Sequence, residues 1–180
     1  YKDIAELLLK KDAKVNLTNN EGRTALIVSS RYGHKAVAEV LLDRGASIDE
    51  QTKDGRTALS AASRYGHTDV AELLLDREAD EEHQDGTGRT ALMWASGNRY
   101  KDVAELLLDR GATADLEDKY GNTALIWAGK IQDPEAASKA SRSSTLYGRK
   151  SGARASNPVE VLLLEYDVDT KFVAGYALMD

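Results

Sequence analysis

The chain has 180 residues, 42% of them hydrophobic and 30% charged, with a formal net charge of −6. That balance belongs to a folded protein, not a disordered tail, and it argues against general nucleic-acid binding. No apolar run approaches the roughly 20 residues of a membrane-spanning helix. The absence of cysteine excludes disulfides and thiolate metal sites, and it suits an intracellular reducing compartment, cytosol or nucleus first and an organelle interior second.

Taken in chain order, the predicted elements repeat. Ile4 opens a helical phrase that returns at Val37, becomes Val-Ala-Glu-Leu-Leu-Leu-Asp-Arg at Val70 and Val103, and recurs in looser form at Val159. Between these phrases, Gly-x-Thr-Ala-Leu starts at Gly22, Gly55, Gly88 and Gly121, a step of 33 residues without drift. Thr24, Thr57, Thr90 and Thr123 stand where an N-cap hydroxyl is needed. Each predicts a first helix of about nine residues, such as Ala58–Tyr65, which Gly33 and Gly66 end in the left-handed conformation. A second helix follows, such as 69–77, with Val70, Leu73 and Leu74 on its buried stripe and an Asp-Arg ending that suits the helix dipole. About a dozen polar residues then form a finger or hairpin before the next glycine. Such short helices are marginal alone, so stability is expected to come from neighbouring units.

The period and both phrases resemble those of ankyrin repeats. The resemblance implies an all-α solenoid of stacked helix-turn-helix units joined by short finger loops. A single domain is expected: a partial unit at 1–21, units at 22–54, 55–87 and 88–120, an interrupted unit at 121–174, and a partial unit at 175–180. The sequence departs from the family pattern at Ala25, Ala58, Ala91 and Ala124, where the family usually has proline. It departs again at Ile27, Ser60, Met93 and Ile126, where a histidine usually bonds the capping threonine. Neither end carries a polar cap, which predicts further residues or a covering partner. Glu78 stands at a helix-ending glycine position and should cost stability there.

Two copies of Ser-Arg-Tyr-Gly-His, at 30–34 and 63–67, look like parts of an active site. By resemblance, His34 and His67 belong to the turn between a unit's helices. Tyr1 and Tyr100 replace them elsewhere, an exchange that a catalytic histidine would not tolerate. The sequence therefore predicts no enzyme, no cofactor and no metal. The group Asp80-Glu81-Glu82-His83 reads as a solvated finger loop.

The resemblance implies that partners bind the concave side, made by finger tips and exposed first-helix residues. In this chain those are Asn20, Glu21, Arg23, Arg31 and Tyr32, then Lys53, Asp54, Arg56, Arg64 and Tyr65. The next units supply Gly86, Thr87, Arg89, Gly97 and Asn98, then Lys119, Tyr120, Asn122, Lys130 and Ile131. This side is expected to be basic and the second-helix side acidic, which suits an acidic protein segment as partner. Trp94 and Trp127, at the register of Val28 and Ala61, are expected in the core.

The last full unit is interrupted after Asp133, and an insert of about 134–158 lies between Pro134 and Pro158. Its basic, serine-rich character makes it a candidate second contact through Arg142, Tyr147, Arg149, Lys150 and Arg154, with Ser143, Ser144 and Ser151 as candidate phosphorylation sites. The leading expectation is a non-catalytic adaptor or scaffold module. The alternatives are a structural subunit of a large complex, membrane-associated or not, and a targeting domain of a larger enzyme.

Overall fold

In a computed structural model, the residues described are 1–130. They form eight helices: α1 (Lys2–Lys10), α2 (Ala25–Arg31), α3 (Lys35–Asp43), α4 (Ala58–Tyr65), α5 (Thr68–Asp76), α6 (Ala91–Gly97), α7 (Lys101–Asp109) and α8 (Ala124–Gly129). No strand occurs among the described residues. The expected solenoid arrangement is present. First helices α2, α4, α6 and α8 stand side by side in one layer, second helices α1, α3, α5 and α7 in the other.

The four threonines cap as the sequence predicts. Their hydroxyls accept from the amides of Ile27, Ser60, Met93 and Ile126 at 3.2–3.4 Å. The usual threonine–histidine bond is absent, but at Ser60 a reciprocal bond replaces it, with the Thr57 amide donating to the serine hydroxyl at 3.0 Å.

First helices are shorter than the expected nine residues, at six to eight. The reason lies in their endings. The amides of His34, His67 and Tyr100 reach back to the carbonyls of Ser29, Ala62 and Ala95 at 2.9–3.0 Å, closing the last turn early. Second helices close in the same way, the Ala46, Ala79 and Ala112 amides donating to Leu41, Leu74 and Leu107. Each such closure needs a left-handed residue, which Gly45 and Gly111 supply but Glu78 must adopt at φ 64°. Glu78→Gly should therefore raise stability by about 1 kcal/mol, read as a higher urea midpoint. A lower midpoint would refute the strain.

The core lies between the layers. Leu59, Leu92, Val70, Leu74, Val103 and Leu107 are fully buried, together with the alanines of both layers that let helices approach closely. Each buried leucine stabilises by roughly 1.5–3 kcal/mol. On the outer layer, ion pairs join successive second helices: Arg77 to Asp43 at 3.0 Å and Arg110 to Asp76 at 2.9 Å. Such half-exposed pairs contribute about 0–1 kcal/mol each.

The fingers are tight turns. Backbone bonds close each one, from Asn19, Thr52, Asp85 and Asp118 to the carbonyls of Arg23, Arg56, Arg89 and Asn122. Adjacent fingers are also joined, Lys53 N to Glu21 O at 3.1 Å, Gly86 N to Asp54 O at 2.9 Å and Lys119 N to Thr87 O at 3.1 Å. The fingers and the first-helix ends together make one continuous face.

Candidate binding face

The face is organised by the residue three before each repeated glycine. Asn19 Oδ1 accepts from the amides of Glu21 and Arg23, and Thr52 Oγ1 from that of Arg56. Asp85 and Asp118 do the same for Thr87 and Arg89, and for Tyr120 and Asn122, at 2.8–3.1 Å. Both aspartates are buried. Their second oxygens accept the indole N–H of Trp94 and of Trp127, each at 3.0 Å. A buried indole needs such a partner.

Trp94 and Trp127 are buried, as expected, at 7% and 9% exposure. Yet their rings form the floor of the finger face, because cations cover them. The Arg89 guanidinium carbon lies 3.6 Å from the Trp127 ring centroid and 4.6 Å from that of Trp94. Arg64 and Arg56 lie 4.5 and 5.1 Å from the Trp94 centroid. The Lys130 ammonium sits 4.1 Å from Trp127 and donates to Asn122 Oδ1 at 2.8 Å. Partly desolvated contacts of this kind contribute about 1–2 kcal/mol each.

The charges on this face are not equally available. Arg23 is paired with Glu21. Arg56 is paired with Asp54 at 2.8 Å and lies 3.8 Å from Asp85. Arg31, Arg64, Arg89 and Lys130 have no ion pair among the described residues. Arg31 instead lies over the rings of Tyr65 and Tyr32, at 5.1 and 5.7 Å. The Nε atoms of Arg56 and Arg89 are buried without a hydrogen-bond partner. Burial lowers the pKa of Arg89; the Asp85 and Asp118 carboxylates oppose the shift, and the neighbouring Arg64 and Arg56 reinforce it.

Burial also works against the charge of Asp118, but hydrogen bonds from Asn122, Tyr120 and Trp127 outweigh it and hold the carboxyl below its ordinary range. Asp54 is lowered too, with burial again opposing and the Thr52 hydroxyl and Arg56 prevailing. A carboxylate whose pKa falls on folding stabilises fully above the unfolded value, and this is lost as pH drops through the folded one. The thermal midpoint should thus show no loss from these two groups between pH 7 and about 5, and should fall below about pH 4. Asp118→Asn should flatten that acid limb; an unaltered limb would assign it to other carboxylates.

Of the expected contact residues, Tyr32, Lys53, Lys119 and Tyr120 are exposed, as are Asn20, Glu21, Asp54 and Gly86. Arg23, Arg31, Arg56, Arg64, Tyr65, Arg89, Asn122 and Lys130 are half-buried. Gly97 is buried and so is no contact. Asn98 turns its amide onto the Trp94 carbonyl at 2.8 Å, and Thr87 turns its hydroxyl onto Asp85 at 2.6 Å. Ile131, the insert residues Arg142, Tyr147, Arg149, Lys150 and Arg154, and Ser143, Ser144 and Ser151 lie outside the described residues.

His67 has a structural place: its Nε2 lies 3.0 Å from the Arg31 carbonyl of the preceding unit. Its ring packs on Gly33, where a Cβ would come within 2.6 Å of Nδ1. The Tyr100 ring packs on Gly66 in the same way. The acidic group lies in a loop, with Asp80 exposed and Glu81, Glu82 and His83 half-buried, but it also makes bonds between units. His83 Nε2 reaches the Gly55 carbonyl at 2.8 Å, and Glu82 Oε1 accepts from Thr113 N at 2.7 Å, so these residues join units. No cluster of three or more metal-ligating side chains occurs among the described residues.

A family model described as ankyrin repeats, in three copies, matches residues 1–85 and 77–138. The chain belongs to the ankyrin-repeat family. No curated protein matches it. Ankyrin repeats generally mediate protein–protein interaction and are typically non-catalytic. No helix among the described residues is long and apolar enough to cross a membrane.

Within this ankyrin stack, Asp85 and Asp118 were not recognised from the sequence. A signal exists in the repeats themselves. The residue nine before each tryptophan is aspartate, whereas the units with Val28 and Ala61 carry Asn19 and Thr52. The aspartate appears only where there is an indole to satisfy.

Proposed function

We propose that this ankyrin-repeat chain is an adaptor that binds an acidic polypeptide segment on its finger face, with the basic insert as a second contact. The observation that carries this reading is the set of four cations, Arg31, Arg64, Arg89 and Lys130, without ion-pair partners among the described residues. Arginines held on aromatic rings are pre-organised for carboxylates and lose little freedom on binding. Exposed Tyr32 and Tyr120 add the amphipathic rings favoured at interfaces.

Titration with a labelled oligoglutamate peptide tests it. Combined charge reversal at Arg31, Arg56 and Arg64 should weaken binding by more than about tenfold and reduce its salt dependence. Unchanged affinity would sink the reading. Carbodiimide coupling then separates the surfaces: peptide carboxylates joined to Lys53, Lys119 and Lys130 mark the finger face, and joining to Lys139 and Lys150 marks the insert.

A further inference from the structure

We infer that Tyr65 is a positioning residue of the finger face, a single ring that holds one cation from each of two units, Arg31 and Arg64, ready for the carboxylates of the segment; this rests on the acidic-segment reading above. Tyr65 ends α4 and is half-buried. The Arg31 guanidinium carbon, from the preceding unit, lies 5.1 Å from its ring centroid, and that of Arg64, from its own unit, 5.7 Å. Arg31 also lies 5.7 Å from the Tyr32 centroid, and Arg64 lies 4.5 Å from that of Trp94 in the following unit. Ring and cation thus alternate without a break from Tyr32 to Trp94, and Arg89 carries the series on to Trp127. The rings change register on the way. They stand at the helix end in the first two units and mid-helix in the next two, where Asn98 takes the place of Tyr65. Tyr65 is the ring on which Arg31 and Arg64 meet.

Both arginines are held by rings while their donors stay unused. Among the described residues, neither guanidinium makes a hydrogen bond or an ion pair, whereas Arg23 and Arg56 are paired with Glu21 and Asp54. A guanidinium has five N–H donors, all in its plane, and a ring lying against its face consumes none of them. A long side chain restrained on two rings also has less freedom to lose when a carboxylate binds. Lys53 is the contrast. It is exposed and lies over no ring among the described residues, so it adds charge to the face without a fixed position. The Tyr65 hydroxyl makes no hydrogen bond among the described residues either, which leaves the positioning to the ring.

The test uses the 180-residue chain and the labelled oligoglutamate peptide, at low salt so that weakened variants still bind. Tyr65→Leu removes no charge, yet should weaken binding about fivefold. Tyr65→Phe keeps the ring and should bind within about twofold of the native chain. In a chain already carrying Arg31→Gln and Arg64→Gln, Tyr65→Leu should have almost no further effect, whereas its loss and that of Lys53→Gln should multiply. A role in folding alone would weaken binding equally in every background. Native affinity in Tyr65→Leu, or an undiminished loss in the double-glutamine chain, overturns the positioning role and leaves the acidic-segment reading standing. Failure of Tyr65→Phe to recover binding also overturns it, in favour of a direct contact by the hydroxyl. No binding by the native chain overturns both readings.

Discussion

Gly55→Ala is expected to destabilise the fold by about 3 kcal/mol, from left-handed strain and overpacking together. Gly55 has φ 76°, and an added Cβ would stand 2.7 Å from the Gly86 backbone nitrogen. The neighbour is main chain, and it is already engaged, since Gly86 N donates to Asp54 O at 2.9 Å. It cannot move aside without opening the joint between two fingers. Gly45→Ala separates the two costs, because Gly45 has φ 80° with nothing within 4 Å of the added atom. It should lose only the strain, about 1 kcal/mol. Urea unfolding of both variants reads the difference. Equal midpoints would show that the close approach of the fingers carries no penalty.

Asp85→Ala is the second large effect, again about 3 kcal/mol. One carboxylate accepts from the amides of Thr87 and Arg89, the Thr87 hydroxyl and the Trp94 indole, and it lies 3.8 Å from Arg56 Nε. Its loss leaves several buried donors without a partner and removes the nearest counter-charge from a crowded group of arginines. The tryptophan emission should change together with the urea midpoint, because the indole loses the partner that fixes its orientation. Asp85→Asn keeps the size and an acceptor oxygen, and should recover part of the loss. Emission unchanged in the alanine variant would show that the ring is held by its stacking cations alone.

The fold was legible because its signals are local and repeated. The threonine caps, the left-handed turn residues and the leucine stripe each depend on a few residues of one unit, and the 33-residue period presents them again and again. Even Glu78 declared its strain by standing in a glycine register. The face was legible only in outline. Arg23 and Arg56 look as available as Arg31 and Arg64 in the sequence, and only the finger turn brings Glu21 and Asp54 onto the first pair. Trp94 and Trp127 met the expectation of burial, but a helical position gives no hint that a ring can be covered by the arginines of its own and the preceding unit. Helix length was overestimated because backbone closure from His34, His67 and Tyr100 takes the final turn, and that depends on geometry beyond residue preference.

The bonds that reach from one unit to the next have a mechanical meaning. Those formed by Asn16, Asp49, Glu82, His67, His83 and Gln84 span 28 to 36 residues of chain, close to one repeat. The strong helix contacts likewise join nearest neighbours. Tension applied along the stack is therefore borne in series, as in a row of linked springs, and not shared by a common core. Under load the units should give way one at a time, each releasing a tether of about 110 Å at full extension. A partner lying across several units would tie those springs in parallel, and the bound stack would be stiffer than the free one.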